Sequence, residues 1–133
     1  MRGRRSAADL LARARSGLTR LEPAAARAAL AGGALLLDVR CGESRSRDGS
    51  VPGAVHVPLS VLPWRLDPAS PFADPALARP ERPVVLFCDH GYSSSLAAGW
   101  LRGLGFRSVA DVVGGFEAWR ATGLPVERPA EPE

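Results

Sequence analysis

The stretch Pro83-Val84-Val85-Leu86-Phe87-Cys88-Asp89-His90-Gly91-Tyr92-Ser93-Ser94-Ser95-Leu96-Ala97-Ala98-Gly99-Trp100-Leu101 decides the reading of this chain. The apolar run 84–87 has the length and β-branched content of a strand. Cys88 ends that run and opens a short polar loop, and residues 94–104 then read as a helix. A strand, a tight loop and a helix in immediate succession place the thiol at the carboxyl end of a strand. There it faces the free amides and positive dipole end of a helix, where a thiolate and an anion it reacts with are both stabilised. Gly91 can take backbone angles that other residues resist, which lets several N–H groups converge on one sulfur. The Asp89 carboxylate opposes that negative charge. Taken alone, the stretch is equally well explained by a small buried cysteine that merely closes a core strand.

Working outward, short apolar segments at 34–39, 54–57, 84–87 and 108–112 read as strands, and segments 23–30, 60–66, 94–104 and 115–122 as helices. Pro23 suits the first turn of its helix, and Gly32-Gly33 ends it. Alternation of this kind predicts an α/β sandwich with a mainly parallel central sheet flanked by helices. Five prolines between 67 and 83 exclude long regular structure there and mark a surface connection. Residues 6–20 carry Leu10, Leu11, Ala14 and Leu18, with Leu21 just beyond, at helical spacing and with arginines between them. They predict an amphipathic amino-terminal helix that packs on the domain. The expected organisation is therefore a helix within 1–21, one domain over 22–127 and a frayed tail over 128–133. In open α/β sheets the ligand crevice lies at the carboxyl ends of the strands, and Arg40, Cys41, Cys88 and the 112–115 turn all fall at such ends.

Composition narrows the function classes. With 133 residues there is room for one domain and one sizeable core. All 17 basic residues are arginine, and the chain contains no Lys, Asn, Gln or Ile. A net charge of +3 spread over the sequence argues against a nucleic-acid partner. Apolar runs such as 34–37 and 84–87 fall far short of the roughly 20 residues of a membrane span, and Asp9, Arg13 and Arg15 interrupt what an export signal would need as an apolar stretch. A cytoplasmic protein without a membrane partner is expected. In a reducing compartment Cys41 and Cys88 remain unpaired, and two cysteines with two histidines make a poor zinc set, so no metal or organic cofactor is expected.

Several further motifs accompany the cysteine loop. Asp38-Val39-Arg40 follows Leu35-Leu36-Leu37; Gly49-Ser50-Val51-Pro52-Gly53-Ala54-Val55-His56-Val57-Pro58 comes next; Val112-Val113-Gly114-Gly115-Phe116-Glu117-Ala118-Trp119 closes the set. In this order and spacing the chain resembles a single-domain rhodanese over about residues 22–127. The segment 61–68 adds a similarity to small rhodanese-like proteins of high-G+C bacteria. The resemblance implies a sulfurtransferase in which Cys88 is the nucleophile. It also implies a small anionic sulfur donor bound by the loop residues Asp89, His90, Gly91, Tyr92, Ser93 and Ser94, and a thiol or cyanide acceptor. One departure stands out: many rhodaneses carry arginine at the sixth loop position, where this chain has Ser93. Arg65 is the candidate for the cation that position lacks, with a surface ion pair to Asp67 as its competing reading.

Other residues weigh less. Asp38 and Arg40 read as a structural strand-end pair, His56 as a packing residue, and His90 as a supporting group beside the sulfur or a solvent-facing imidazole. Gly114, Gly115 and Trp119 read as a turn and helix that pack beside the loop. Hydroxyls at a helix start, as in 93–95, are usually caps, and no histidine–acid pair accompanies them. Cys41 reads as a bystander near the active face, with a resolving role as the lesser reading. Two rival functions remain. A cysteine-loop phosphatase or arsenate reductase resembles a rhodanese but needs a loop one residue longer with an arginine, and a rhodanese-like binding or regulatory module would need no nucleophile.

Overall fold

The computed structural model describes residues 3–128. Its centre is a five-stranded, all-parallel sheet made of β1 (Thr19–Leu21), β2 (Leu35–Asp38), β3 (Val55–His56), β4 (Val84–Phe87) and β5 (Val109–Val112). Their spatial order is β1-β5-β4-β2-β3. Among the described residues six helices accompany it: α1 (Ala7–Arg15), α2 (Pro23–Ala31), α3 (Gly42–Asp48), α4 (Leu62–Leu66), α5 (Ser93–Gly103) and α6 (Gly115–Ala121). The α/β sandwich expected from the alternating pattern is the architecture observed. The tail residues 129–133 lie outside the described part of the chain.

The central strands β2 and β4 are buried along their whole length, as strands covered on both faces must be. Side chains alternate between two cores. Leu35, Leu37, Val84, Leu86, Cys88 and Val109 join Ala97, Ala98 and Leu101 of α5 on one face. Leu36, Val85, Phe87, Ala110 and Val112 join Ala26 of α2 and Phe116 and Trp119 of α6 on the other. This period of two assigns Cys88 to the α5 side.

The amino-terminal helix is shorter than the apolar spacing of 6–20 suggests. A capping box between Ser6 and Asp9 starts α1, and the chain leaves the helix at Ser16. Gly17, at φ +74°, then turns it into β1, which pairs with β5 in the register Arg20↔Asp111. Leu18 and Leu21 thus continue a helical spacing in sequence but not in space. α1 itself packs on α5, with Ala14 beside Gly99. The helix expected at 60–66 begins as a 3-10 turn over Leu59–Val61 before α4. α3 was not expected: GESRSRD carries no apolar stripe, so periodicity gives no signal there.

Candidate active site

The loop between β4 and α5 wraps around the Cys88 sulfur. The amides of Gly91 and Ser94 donate to Cys88 Sγ at 3.1 and 3.3 Å, and the Ser94 hydroxyl lies 3.5 Å from it. Cys88 is 6% exposed and lines an open cavity of about 490 Å³, together with Val39, Cys41, Leu59, Asp89, Ser93 and Trp100.

The amides can face inward because the loop carbonyls are tied from outside. The first amides of α6 donate to the loop: Phe116 N–H to the Cys88 carbonyl at 2.8 Å, and Glu117 N–H to the Asp89 carbonyl at 3.1 Å. Two glycines permit this approach. Gly91 has φ +88°, and a Cβ on Gly115, at φ +61°, would lie 2.4 Å from the Cys88 carbonyl oxygen. The 114–115 pair therefore packs beside the loop as expected, and the contact is backbone on backbone.

A buried carboxylate anchors the loop's far end. Asp111 on β5, fully buried, accepts from the hydroxyls of Ser94 (2.9 Å) and Ser95 (2.7 Å) and from Arg20 Nε (2.9 Å). These serines do not cap α5, whose start has no side-chain cap; they tie it to the sheet. Removing Arg20 would leave the buried Asp111 carboxylate without its cation, a strongly destabilising change. Neither Asp111 nor Arg20 carries a motif signal in the sequence, because the two meet only through the β1–β5 register.

The first strand end is held by a buried ion pair. Arg40 is 2% exposed; its Nε and Nη2 donate to the Asp38 carboxylate at 3.0 and 2.9 Å, and Nη2 also donates to the Gly49 carbonyl at 2.8 Å. The guanidinium lies 3.9 Å above the Phe116 ring, which joins β2 to α6. His56 Nε2 donates to the Arg40 carbonyl at 2.7 Å, consistent with its reading as a packing residue.

The remaining expected residues divide. Asp89 and Ser93 line the Cys88 cavity, and the Asp89 carboxylate lies 3.4 Å from the Ser44 hydroxyl oxygen. His90 turns outward to Glu117 at 2.9 Å, with both side chains more than half exposed, so the solvent-facing reading is the one observed. Tyr92 is exposed beneath the guanidinium of Arg15. Arg65 is not brought to the thiol. It pairs with Asp74 at 3.5 Å rather than with Asp67, and lines a separate cavity with Val61, Trp64 and Phe72. The turn at 67–74 carries Asp74 back over α4, where Asp74 N–H donates to the Arg65 carbonyl. Arg65→Ala is accordingly expected to leave the Michaelis constant for an anionic sulfur donor within about twofold, because the side chain lines a cavity other than that of Cys88; steady-state kinetics check this. Cys41 shares the Cys88 cavity, and the Ser44 hydroxyl, 3.4 Å from its sulfur, holds its thiol below the ordinary value.

A cysteine sulfur at a strand end, held by two loop amides and opening on a cavity, defines a cysteine-loop α/β protein. The rhodanese-like domain model matches residues 22–122, and the chain belongs to the rhodanese family, as an enzyme of sulfurtransferase type. Thiosulfate sulfurtransferase GlpE of Pseudomonas savastanoi pv. phaseolicola is 42% identical over 103 residues, 77% of this chain and 88% of its own. The GlpE protein of Pseudomonas syringae pv. syringae is 40% identical over the same coverage. Among solved structures, a Rhodopseudomonas palustris protein described as of unknown function and a possible tyrosine phosphatase superposes with a TM-score of 0.87. It is 32% identical, covering 96% of this chain and 98% of that one. The homodimeric polysulfide-sulfur transferase of Wolinella succinogenes superposes at 0.69 with 25% identity, covering 91% and 86%.

Proposed function

We propose that the protein moves a sulfane sulfur from thiosulfate, or a persulfide-type donor, to a thiophilic acceptor through a Cys88 persulfide. The Cys88 thiolate attacks the outer sulfur of thiosulfate. The new S–S bond forms as the old one breaks, and sulfite leaves with the bonding electron pair and both of its charges. Cyanide, or a cellular thiolate, then attacks the outer sulfur of the persulfide and returns Cys88 as the thiolate. The observation that carries this reading is the Cys88 sulfur held at 3.1 and 3.3 Å by two loop amides and opening on a cavity. Those amides suit the charged persulfide as an oxyanion hole suits its intermediate. The loop 89–94 binds the donor in this scheme, with Asp89 and Ser93 at the cavity wall. The names of the GlpE relatives support thiosulfate as the donor. Incubation of purified protein with thiosulfate, followed by intact-mass measurement, should show one added sulfur atom on Cys88; an unmodified protein after full incubation would refute the scheme.

Phosphate-ester hydrolysis is the second reading, favoured by the description of the Rhodopseudomonas palustris protein. Against it, the loop 88–93 is six residues long and carries no arginine to grip a tetrahedral oxyanion. Hydrolysis of aryl phosphates is therefore expected to stay at the level of the Cys88→Ser variant. Turnover that depends on Cys88 would reverse the assignment.

A further inference from the structure

Two arginines from the amino-terminal segment converge on one backbone oxygen of the cysteine loop. Arg15, at the end of α1, donates from Nη2 to the Gly91 carbonyl at 2.8 Å, and Arg20, in β1, donates from Nη2 to the same oxygen at 3.0 Å. Each guanidinium is itself braced. Arg15 Nε donates to the Ser95 hydroxyl at 3.0 Å, and Arg20 Nε to Asp111 at 2.9 Å. The Arg15 guanidinium also lies 5.8 Å from the centre of the Tyr92 ring. The peptide that joins Gly91 to Tyr92 is planar and trans, so the Tyr92 N–H points opposite to the Gly91 carbonyl, away from both guanidiniums. α6 imposes the same orientation earlier in the loop, where the Cys88 and Asp89 carbonyls are held by the Phe116 and Glu117 amides.

We propose that Arg15 and Arg20 are positioning residues for sulfur transfer: they pin the Gly91 carbonyl outward so that the Tyr92 amide faces the anion bound above Cys88. The inference rests on the anionic donor of the proposed function. It also accounts for Ser93 standing where a loop arginine is expected. Here positive charge acts from behind the loop, through a peptide group it orients and polarises, instead of reaching into the cavity as a side chain. Arg20 has the further task of neutralising the buried Asp111, so Arg15 is the residue on which the role can be tested separately.

The experiment uses the full chain in a Cys41→Ser background, so that alkylation reports Cys88 alone. Arg15→Leu removes the fork. Arg15→Lys keeps the charge but cannot span Gly91 and Ser95 as the guanidinium does. Two readouts are taken: kcat and KM for thiosulfate with cyanide as acceptor, and the ratio of Cys88 alkylation rates by iodoacetate and by neutral iodoacetamide. Both variants should raise the thiosulfate KM by about five- to tenfold, with kcat within about threefold, and lower the iodoacetate-to-iodoacetamide ratio by a similar factor. Wild-type values in both variants would overturn the proposal. Full rescue by lysine would also overturn it, because charge acting through space needs no fork. Equal slowing with both reagents at an unchanged ratio would assign Arg15 to the fold alone. If the wild-type protein takes no sulfur from thiosulfate, the thiosulfate scheme fails, while the alkylation ratio still decides the positioning role.

Discussion

Cys88→Ser is expected to lower sulfur transfer by more than about a thousandfold, because an alcohol is far less ionised than a thiol at neutral pH and forms no persulfide. The replacement is nearly isosteric, and the amides of Gly91 and Ser94 that now donate to sulfur can donate to the hydroxyl oxygen. The melting temperature should therefore stay within a few degrees of the wild type while the mass shift with thiosulfate disappears. Cys41→Ser should keep most activity with cyanide as acceptor, since Cys41 is exposed and the side chain its sulfur meets is Ser44. Activity lost in that variant with Cys88 persulfidation intact would instead reveal a relay through Cys41.

Gly115→Ala should be the most damaging single methyl group that can be added near the site. The residue has φ +61°, and its Cβ would lie 2.4 Å from the Cys88 carbonyl oxygen, 2.8 Å from the Gly91 nitrogen and 2.9 Å from the Asp89 carbonyl carbon. All three are backbone atoms of the loop, which cannot rotate aside as a side-chain tip would. Left-handed backbone strain and overpacking together should cost about 2–5 kcal/mol, or roughly 10 °C or more in melting temperature. Sulfur transfer should fall as well, because the Phe116 and Glu117 amides that hold the loop carbonyls move with the clash. Gly123→Ala is the control: its φ is +81°, but nothing lies within 4 Å of the added methyl, so it should show strain alone. Thermal melts of the two variants measure the difference, and equal melting would show that the 115 contact is not what holds the loop.

Much of this was legible in the chain itself. β4 has the bounds 84–87 read from its apolar run, α2 starts at Pro23 and stops before Gly33, and the alternation of short apolar segments with helical ones corresponds to the parallel sheet observed. The Cys88 loop and the 114–115 pair were visible because their chemistry is local: a thiol, small residues and a change of period within a few positions. β1 was not visible, since three residues are too few to show alternation, and Leu18 and Leu21 happen to continue the spacing of α1. Arg65 was misplaced for the converse reason, because residue type and position along the chain say nothing of which way the fold carries the side chain.

By itself, then, the amino-acid sequence determined the strand–loop–helix around Cys88 and the α/β class, both of which follow from residue types over short spans. Only the tertiary structure decided what holds that loop in its working shape. Arg15 and Arg20 lie more than seventy residues from Gly91, Asp111 lies 17 from Ser94, and the Phe116 and Glu117 amides are backbone groups that every sequence possesses. Their partners are chosen by the register of β1 on β5 and by the packing of α1 on α5 and of α6 on the loop. Hydrogen bonds between distant groups leave no periodicity in the chain, so they become readable only when the sheet brings their ends together.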